Sequence, residues 1–261
     1  MTKPYLTELS DGVYNIRFNR PDKYNALTFE VYAKLRDEFS ALQTRDDVRV
    51  VTLSGEGKAF CSGGDVDDII GPLLKMDTAK LIEFTRMTCA LIGNIRKLRK
   101  PVIAGVNGTA CGAGAVIALA CDIRIATPKA KIAFLFTKVG LSGADMGAAF
   151  LLPRVVGLTA ATELLMRGHF IDAQEAQRIG LYNRIVEQEH LSRAVGELAA
   201  ELAKGPQLGL QMTKEMLNRE MTMDLDTALE AEAQAQALCM QHPDFHESHK
   251  AWTEGREPKF E

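Results

Sequence analysis

Strand-like and helix-like segments alternate through the first half of this chain, and that alternation points to the α/β class. Residues 13–18 (VYNIRF) alternate apolar and polar side chains as a half-buried strand does. Thr28 then stands where an N-cap belongs, ahead of a helix with Val31, Leu35, Phe39 and Leu42 on one face. A second strand is predicted over 49–53, ended by the turn-rich SGEG. Leu81, Phe84, Thr88, Leu91, Ile95 and Leu98 follow a three-four spacing, so a long helix runs to the Lys-Pro pair at 100–101. Residues 102–106 are short, β-branched and bounded by Asn-Gly, which predicts a buried strand. A short helix over 114–120, a strand over 123–126 and another near Ile132 follow.

From Leu158 onward the pattern is almost wholly helical. Leu191, Val195, Leu198 and Leu202 share one face, and further helices are predicted over 206–219, 224–241 and 244–253. The expected organisation is a core over 1–200 and a helical region over 201–261, without repeat, low-complexity tract or linker. A chain of 261 residues can bury a sizeable core, and 46% hydrophobic with 25% charged residues fits a soluble globular protein. A net charge of −3 carries no polyanion footprint, so nucleic acid is not expected as a partner. No apolar stretch approaches the ~20 residues of a membrane helix, and the start MTKPYLTELSDG lacks a signal-peptide core. Five cysteines, at 61, 89, 111, 121 and 239, have no paired spacing, which fits reduced thiols in a cytoplasm.

Two of the strands lead into similar devices. One is followed by KAFCSGGD, with Gly63 and Gly64 before Asp65; the other by NGTACGAG, with Gly112, Ala113 and Gly114. Small residues let a backbone N–H approach a ligand oxygen, and a helix opening at Gly114 would add its unpaired amides and positive end. Two amides converging on one oxygen would form an oxyanion hole, although tight turns and close packing account for the same glycines. Nucleotide signatures fail: Thr52 and Ala59 break a phosphate loop around Gly57-Lys58, while Ile117 and Phe60 occupy the last glycine of G-x-G-x-x-G.

NRPDKYNAL (19–27), GKAFCSGGDV (57–66), KPVIAGVNGTACGAG (100–114), CDIRIA (121–126) and LLPRVVG (151–157) together resemble the enoyl-CoA hydratase/isomerase family, the crotonase superfamily. The resemblance runs nearly end to end. It implies a spiral of two strands and a helix per turn, completed by C-terminal helices that form a homotrimer or a dimer of trimers. It also implies an acyl-CoA thioester substrate that carries its own coenzyme A, with no separate cofactor and no metal. The two oxyanion amides fall on Gly64 and Ala113, alanine replacing the family's usual glycine but keeping its N–H. Lys23, Ala26, Ser62, Asp65 and Val66 match positions along the coenzyme A path, and Trp252 and Arg256 match an aromatic and a basic residue that help bind it.

The chain departs from the hydratases of that family at both of their glutamates. Val116 takes the place of the first and Phe136 of the second, and neither moves a proton. Asp145, within GLSGADMGAAF (140–150), is the substitute; it resembles the aspartate of dienoyl-CoA isomerases and lies close to the nucleophile of 4-chlorobenzoyl-CoA dehalogenases. Apolar neighbours would raise its pKa towards neutrality. The same residue could instead cap the helix that follows. Cys239, His242, His246 and His249 imitate a metal site, but Pro243 breaks their helical register. Cys61 and Cys111 read as small packing residues. The functional expectation is an enolate-forming acyl-CoA isomerase. Atypical hydration, dehalogenation, decarboxylation, C–C cleavage and a non-catalytic acyl-CoA-binding role remain the alternatives.

Overall fold

The computed structural model describes residues 3–260. Its strands are β1 (Tyr5–Ser10), β2 (Val13–Phe18), β3 (Val50–Gly55), β4 (Ala59–Cys61), β5 (Val102–Val106), β6 (Thr109–Cys111), β7 (Ile123–Ala126), β8 (Lys131–Ala133), β9 (Ile171–Asp172) and β10 (Arg184–Ile185). They form a six-stranded sheet in the order β1-β2-β3-β5-β7-β10 and a four-stranded sheet in the order β4-β6-β8-β9. β1 and β2 pair antiparallel, and every later pair in the large sheet is parallel. Three times in succession the chain runs a strand in the large sheet, a short strand in the small sheet and a helix. Those helices span Thr78–Lys97, Ala113–Ala120 and Ala148–Arg167. This is the ββα spiral that the resemblance implies.

The first helix forms where the sequence places it. It covers Phe29–Ala41, and the Thr28 hydroxyl accepts from the Val31 amide at the N-terminus. Such a cap is worth about 1 kcal/mol. Val31, Tyr32, Leu35 and Phe39 are buried, and Leu42 follows them into the core. The helix Ala113–Ala120 has no polar face, and all eight of its residues are buried, as a helix apolar all round must be. Leu191–Lys204 lays Leu191, Val195, Leu198 and Ala199 against Val50, Ile103 and Ile125 of the large sheet, forming a second apolar cluster.

The sequence pattern does not disclose β1, β4, β6, β9 or β10. Four of these five contain two or three residues, too few for a period of two to show. The helical half accordingly holds two short strands, β9 and β10, and the helix expected after Asp145 begins at Ala148. By length and composition alone the helix Ala148–Arg167 passes as a membrane span, contrary to the expectation that no stretch comes close. Gly157 is non-helical (φ 78°, ψ 159°) and Pro153 lies upstream of it, so the segment is two short helices across a kink.

The C-terminal helices cover Gln207–Arg219, Leu225–Gln241 and Pro243–Glu254. The first of them is pinned to the spiral by a buried cation. The Lys214 ammonium lies 2.7 Å from an Asp122 carboxylate oxygen and donates to the Lys100 carbonyl at 2.9 Å. Arg96 holds the other Asp122 oxygen at 3.2 Å. Removing one partner of such a buried set is strongly destabilising, because it leaves an uncompensated charge.

Candidate active site

The two glycine turns meet. A side chain on Gly63 would stand 2.9 Å from the Cys111 carbonyl oxygen and 3.3 Å from the Ala113 nitrogen. Gly114 is tighter still, since a Cβ there would lie 2.1 Å from the Cys61 carbonyl oxygen. Glycine is therefore required at 63 and 114 so that the ends of β4 and β6 can approach, and Gly63 also has a φ of 91°.

The amides of this junction divide into engaged and free. Leu27 bridges the first turn: its N–H donates to the Gly63 carbonyl at 2.8 Å and its carbonyl accepts from Asp65 N–H at 2.9 Å. In this parallel bridge the N–H of Gly64 itself faces away from Leu27. In the second turn the Gly112 N–H donates to the Ala133 carbonyl at 3.0 Å. Ala113 is the first residue of its helix, so no intrahelical carbonyl reaches its N–H. Both amides assigned to the oxyanion hole thus belong to adjoining turns, and neither is used in holding its own turn.

Asp65 secures the first turn. Its Oδ1 accepts from Asp67 and Asp68 N–H at 3.0 and 3.2 Å, and Arg20 lies 3.0 Å from Oδ2. Burial works against its charge, but these two amides and the guanidinium overcome burial and hold its pKa below the ordinary value. Of the other residues matched to the coenzyme A path, Ala26 is buried and Ser62 half-buried. Lys23 and Val66 are exposed at the rim, Lys23 lying 3.6 Å from Asp67. Trp252 and Arg256 sit on and just after the last helix, which packs on Leu225–Gln241. Trp252 is 86% exposed. Arg256 is held by Glu247 and Glu254, and it draws the Glu247 carboxyl down to about 2.

At the places of the two hydratase glutamates the structure has buried apolar side chains. Val116 and Phe136 share one core cluster with Met146. Asp145 stands beside that cluster, and burial raises its pKa, with the Met146 N–H bond at 2.9 Å acting in the opposite direction. The helix that follows is capped by Gly147, with no side-chain cap. The Asp145 side chain therefore does not serve as that helix's N-cap. Met146 and Gly147 both have positive φ, 48° and 88°, a conformation that costs a non-glycine residue about 1 kcal/mol or more.

The thiols near the turns are not activated. Burial pushes Cys61 up to about 12 and Cys111 up to about 11, so both stay protonated near neutral pH. The histidines near the C-terminus find another use: His242 Nδ1 accepts from Asp244 N–H and caps the last helix. Sequence reasoning overlooked Tyr32. Its ring registers only as another apolar helix position, yet its hydroxyl lies 3.8 Å from where a Cβ on Gly64 would be.

Comparison with known proteins settles the class. The family model described as Enoyl-CoA hydratase/isomerase matches residues 8–261. The chain belongs to the enoyl-CoA hydratase/isomerase family. A 1,2-epoxyphenylacetyl-CoA isomerase of Escherichia coli (strain K12) is 36% identical over 259 residues, covering 98% of this chain and 97% of the relative. A 4-chlorobenzoyl coenzyme A dehalogenase-2 of Arthrobacter sp is 30% identical, over 92% of this chain and 87% of its own length. Among solved structures, a candidate enoyl-CoA hydratase from Streptomyces coelicolor A3(2) superposes with a TM-score of 0.97 at 52% identity. That superposition covers 99% of this chain and 94% of the other.

Proposed function

We propose that the protein is an acyl-CoA isomerase that works through a thioester enolate. The observation that carries this reading is the pairing of two free amides with one carboxyl. Gly64 and Ala113 offer N–H groups across the junction of the turns, and Asp145 is a desolvated acid where the hydratase glutamates are absent. In a 3-enoyl-CoA, the Asp145 carboxylate takes the α-proton and the electron pair moves onto the thioester oxygen as an enolate. The amides hold that charge. The enolate then collapses, the double bond shifts to the 2,3 position, and Asp145 returns the proton to the γ-carbon. One group acting as base and then acid suffices, whereas hydration needs a base for water and an acid for the α-carbon.

Coenzyme A enters with the substrate along Lys23, Ala26, Ser62, Asp65 and Val66, and no separate cofactor or metal takes part. Asp65 serves there by shaping the turn, since both its oxygens are engaged. Trp252 and Arg256 contribute from the C-terminal helices. The exposed Leu225, Leu229, Leu238, Phe245 and Trp252 of these helices support assembly into a homotrimer or a dimer of trimers. The location assigned is the cytoplasm.

The test is the conversion of trans-3-hexenoyl-CoA to the 2-enoyl isomer, followed beside hydration of crotonyl-CoA. Isomerisation without hydration at hydratase-like rates is the expected result. Efficient hydration of crotonyl-CoA would contradict the reading, because neither Val116 nor Phe136 supplies the second proton carrier.

A further inference from the structure

Tyr32 is a protic side chain beside the oxyanion turns that the mechanism above leaves unused. Its position follows from local structure. The bridge from Leu27 to Gly64 fixes the chain just before the first helix, and Tyr32 lies one turn into that helix on its buried side. The ring is held edge-on against Phe84, centroids 5.8 Å apart, and Phe84 in turn packs on Phe29 at 5.0 Å. Only 3% of the residue is exposed. Its hydroxyl nevertheless makes no hydrogen bond to any described residue.

The hydroxyl is not among the fully enclosed polar atoms that lack a partner, so it keeps some access to solvent and is free to donate to a ligand. One distance locates that ligand. The hydroxyl lies 3.8 Å from the point a Gly64 Cβ would occupy. The hydroxyl therefore borders the turn that carries Gly64. Burial holds the phenol in its neutral form, which leaves it a proton to donate.

We propose that Tyr32 is a catalytic residue whose phenol donates a third hydrogen bond to the enolate oxygen held by the Gly64 and Ala113 amides. This rests on the enolate reading given above. A donor that is rigid, buried and already oriented stabilises developing charge without reorganising at the moment of reaction. An enolate oxygen accepts a stronger hydrogen bond than a neutral thioester carbonyl does, so the phenol contributes more to the enolate than to the thioester.

Acetoacetyl-CoA is the probe, because its enolate absorbs in the near ultraviolet and its ionisation on the protein can be titrated directly. The wild type is expected to lower the apparent pKa of bound acetoacetyl-CoA below its value in free solution. Tyr32→Phe keeps the ring against Phe84 and removes only the hydroxyl. It should weaken enolate formation by about tenfold or more, with affinity for a saturated acyl-CoA unchanged. If Tyr32→Phe does not fold, Tyr32→Met provides the same comparison. A variant that ionises the probe as readily as the wild type overturns the proposal and leaves the two amides standing. A variant that loses only turnover, at unchanged probe ionisation, also overturns it, because Tyr32 then acts through Asp145. A wild type that does not lower the probe's pKa overturns both the oxyanion reading and the role of Tyr32.

Discussion

The two sides of the site are built on opposite plans. The oxyanion side is backbone, locked where β4 and β6 run into turns so close that a Cβ at Gly114 would lie within 2.1 Å of a carbonyl oxygen. The proposed proton-carrying side is a single carboxyl on the loop ahead of the kinked helix, carried by left-handed backbone at Met146 and Gly147. Backbone amides are supplied by the fold whatever residue stands there, which is why Ala113 can replace a glycine. A carboxyl has to be placed by choice of residue, and here the choice has moved from the positions of Val116 and Phe136 to Asp145. On the mechanism proposed above, the rigid side fixes what kind of intermediate is stabilised and the variable side fixes which reaction follows.

The largest effect should come from disturbing the rigid side. Gly114→Val would drive a branched side chain into the Cys61 carbonyl, and backbone cannot yield cheaply. Overpacking costs about 1–3 kcal/mol where neighbours can adjust; here the expected outcome is no soluble folded protein, read by expression and circular dichroism. A folded and active Gly114→Val enzyme would show that the two turns are not locked together.

Loss of Asp65 ranks next. Asp65→Ala removes the cap on the turn after Gly64 and the partner of Arg20, at a cost of about 1–2 kcal/mol in thermal stability. The sign of its pH dependence follows from the lowered pKa. The stabilisation is present above the ordinary aspartate value of about 3.9 and fades as pH falls through the folded-state value. The difference in melting temperature between wild type and Asp65→Ala should therefore be largest near neutrality and shrink in acid.

Asp145 should behave in the opposite way. Its pKa is raised, so the folded protein favours its protonated form, and ionisation between the ordinary and the raised value is destabilising. Asp145→Asn is expected to leave the melting temperature at neutral pH unchanged or slightly higher. A clear fall in melting temperature would indicate a supporting role that the structure does not show. Turnover in the wild type should drop on the acid side at a pH above about 3.9, as the base becomes protonated. The smallest effect is expected from Cys111→Ser. The thiol only donates to the Ser62 carbonyl, at 3.2 Å, and serine can repeat that bond. Turnover should stay near that of the wild type.

The same contrast explains how much could be read from the sequence. The glycine turns were legible as clusters that also fit tight turns and close packing, and it was five motifs in order that pointed to the family. Val102–Val106 was legible to the residue as a continuous apolar run between turn signals, and Ile123–Ala126 was placed to the residue although Arg124 interrupts it. β4 and β6 were not, since three residues that end in a glycine turn show no period. Tyr32 was hidden most completely. Its spacing is that of a core residue, and only the bridge from Leu27 to Gly64 brings its hydroxyl to the turn.

The central claim is that amides stabilise the enolate while Asp145 alone moves the proton. It is tested most directly by α-deuterium exchange of trans-3-hexenoyl-CoA in deuterium oxide, comparing wild type with Asp145→Asn. Asparagine preserves size and folding but cannot accept the proton. The variant is expected to bind the thioester normally and to exchange about 10²-fold or more slowly, as removal of a general base predicts. Exchange at the wild-type rate in a folded Asp145→Asn protein would contradict the account and place the proton carrier elsewhere.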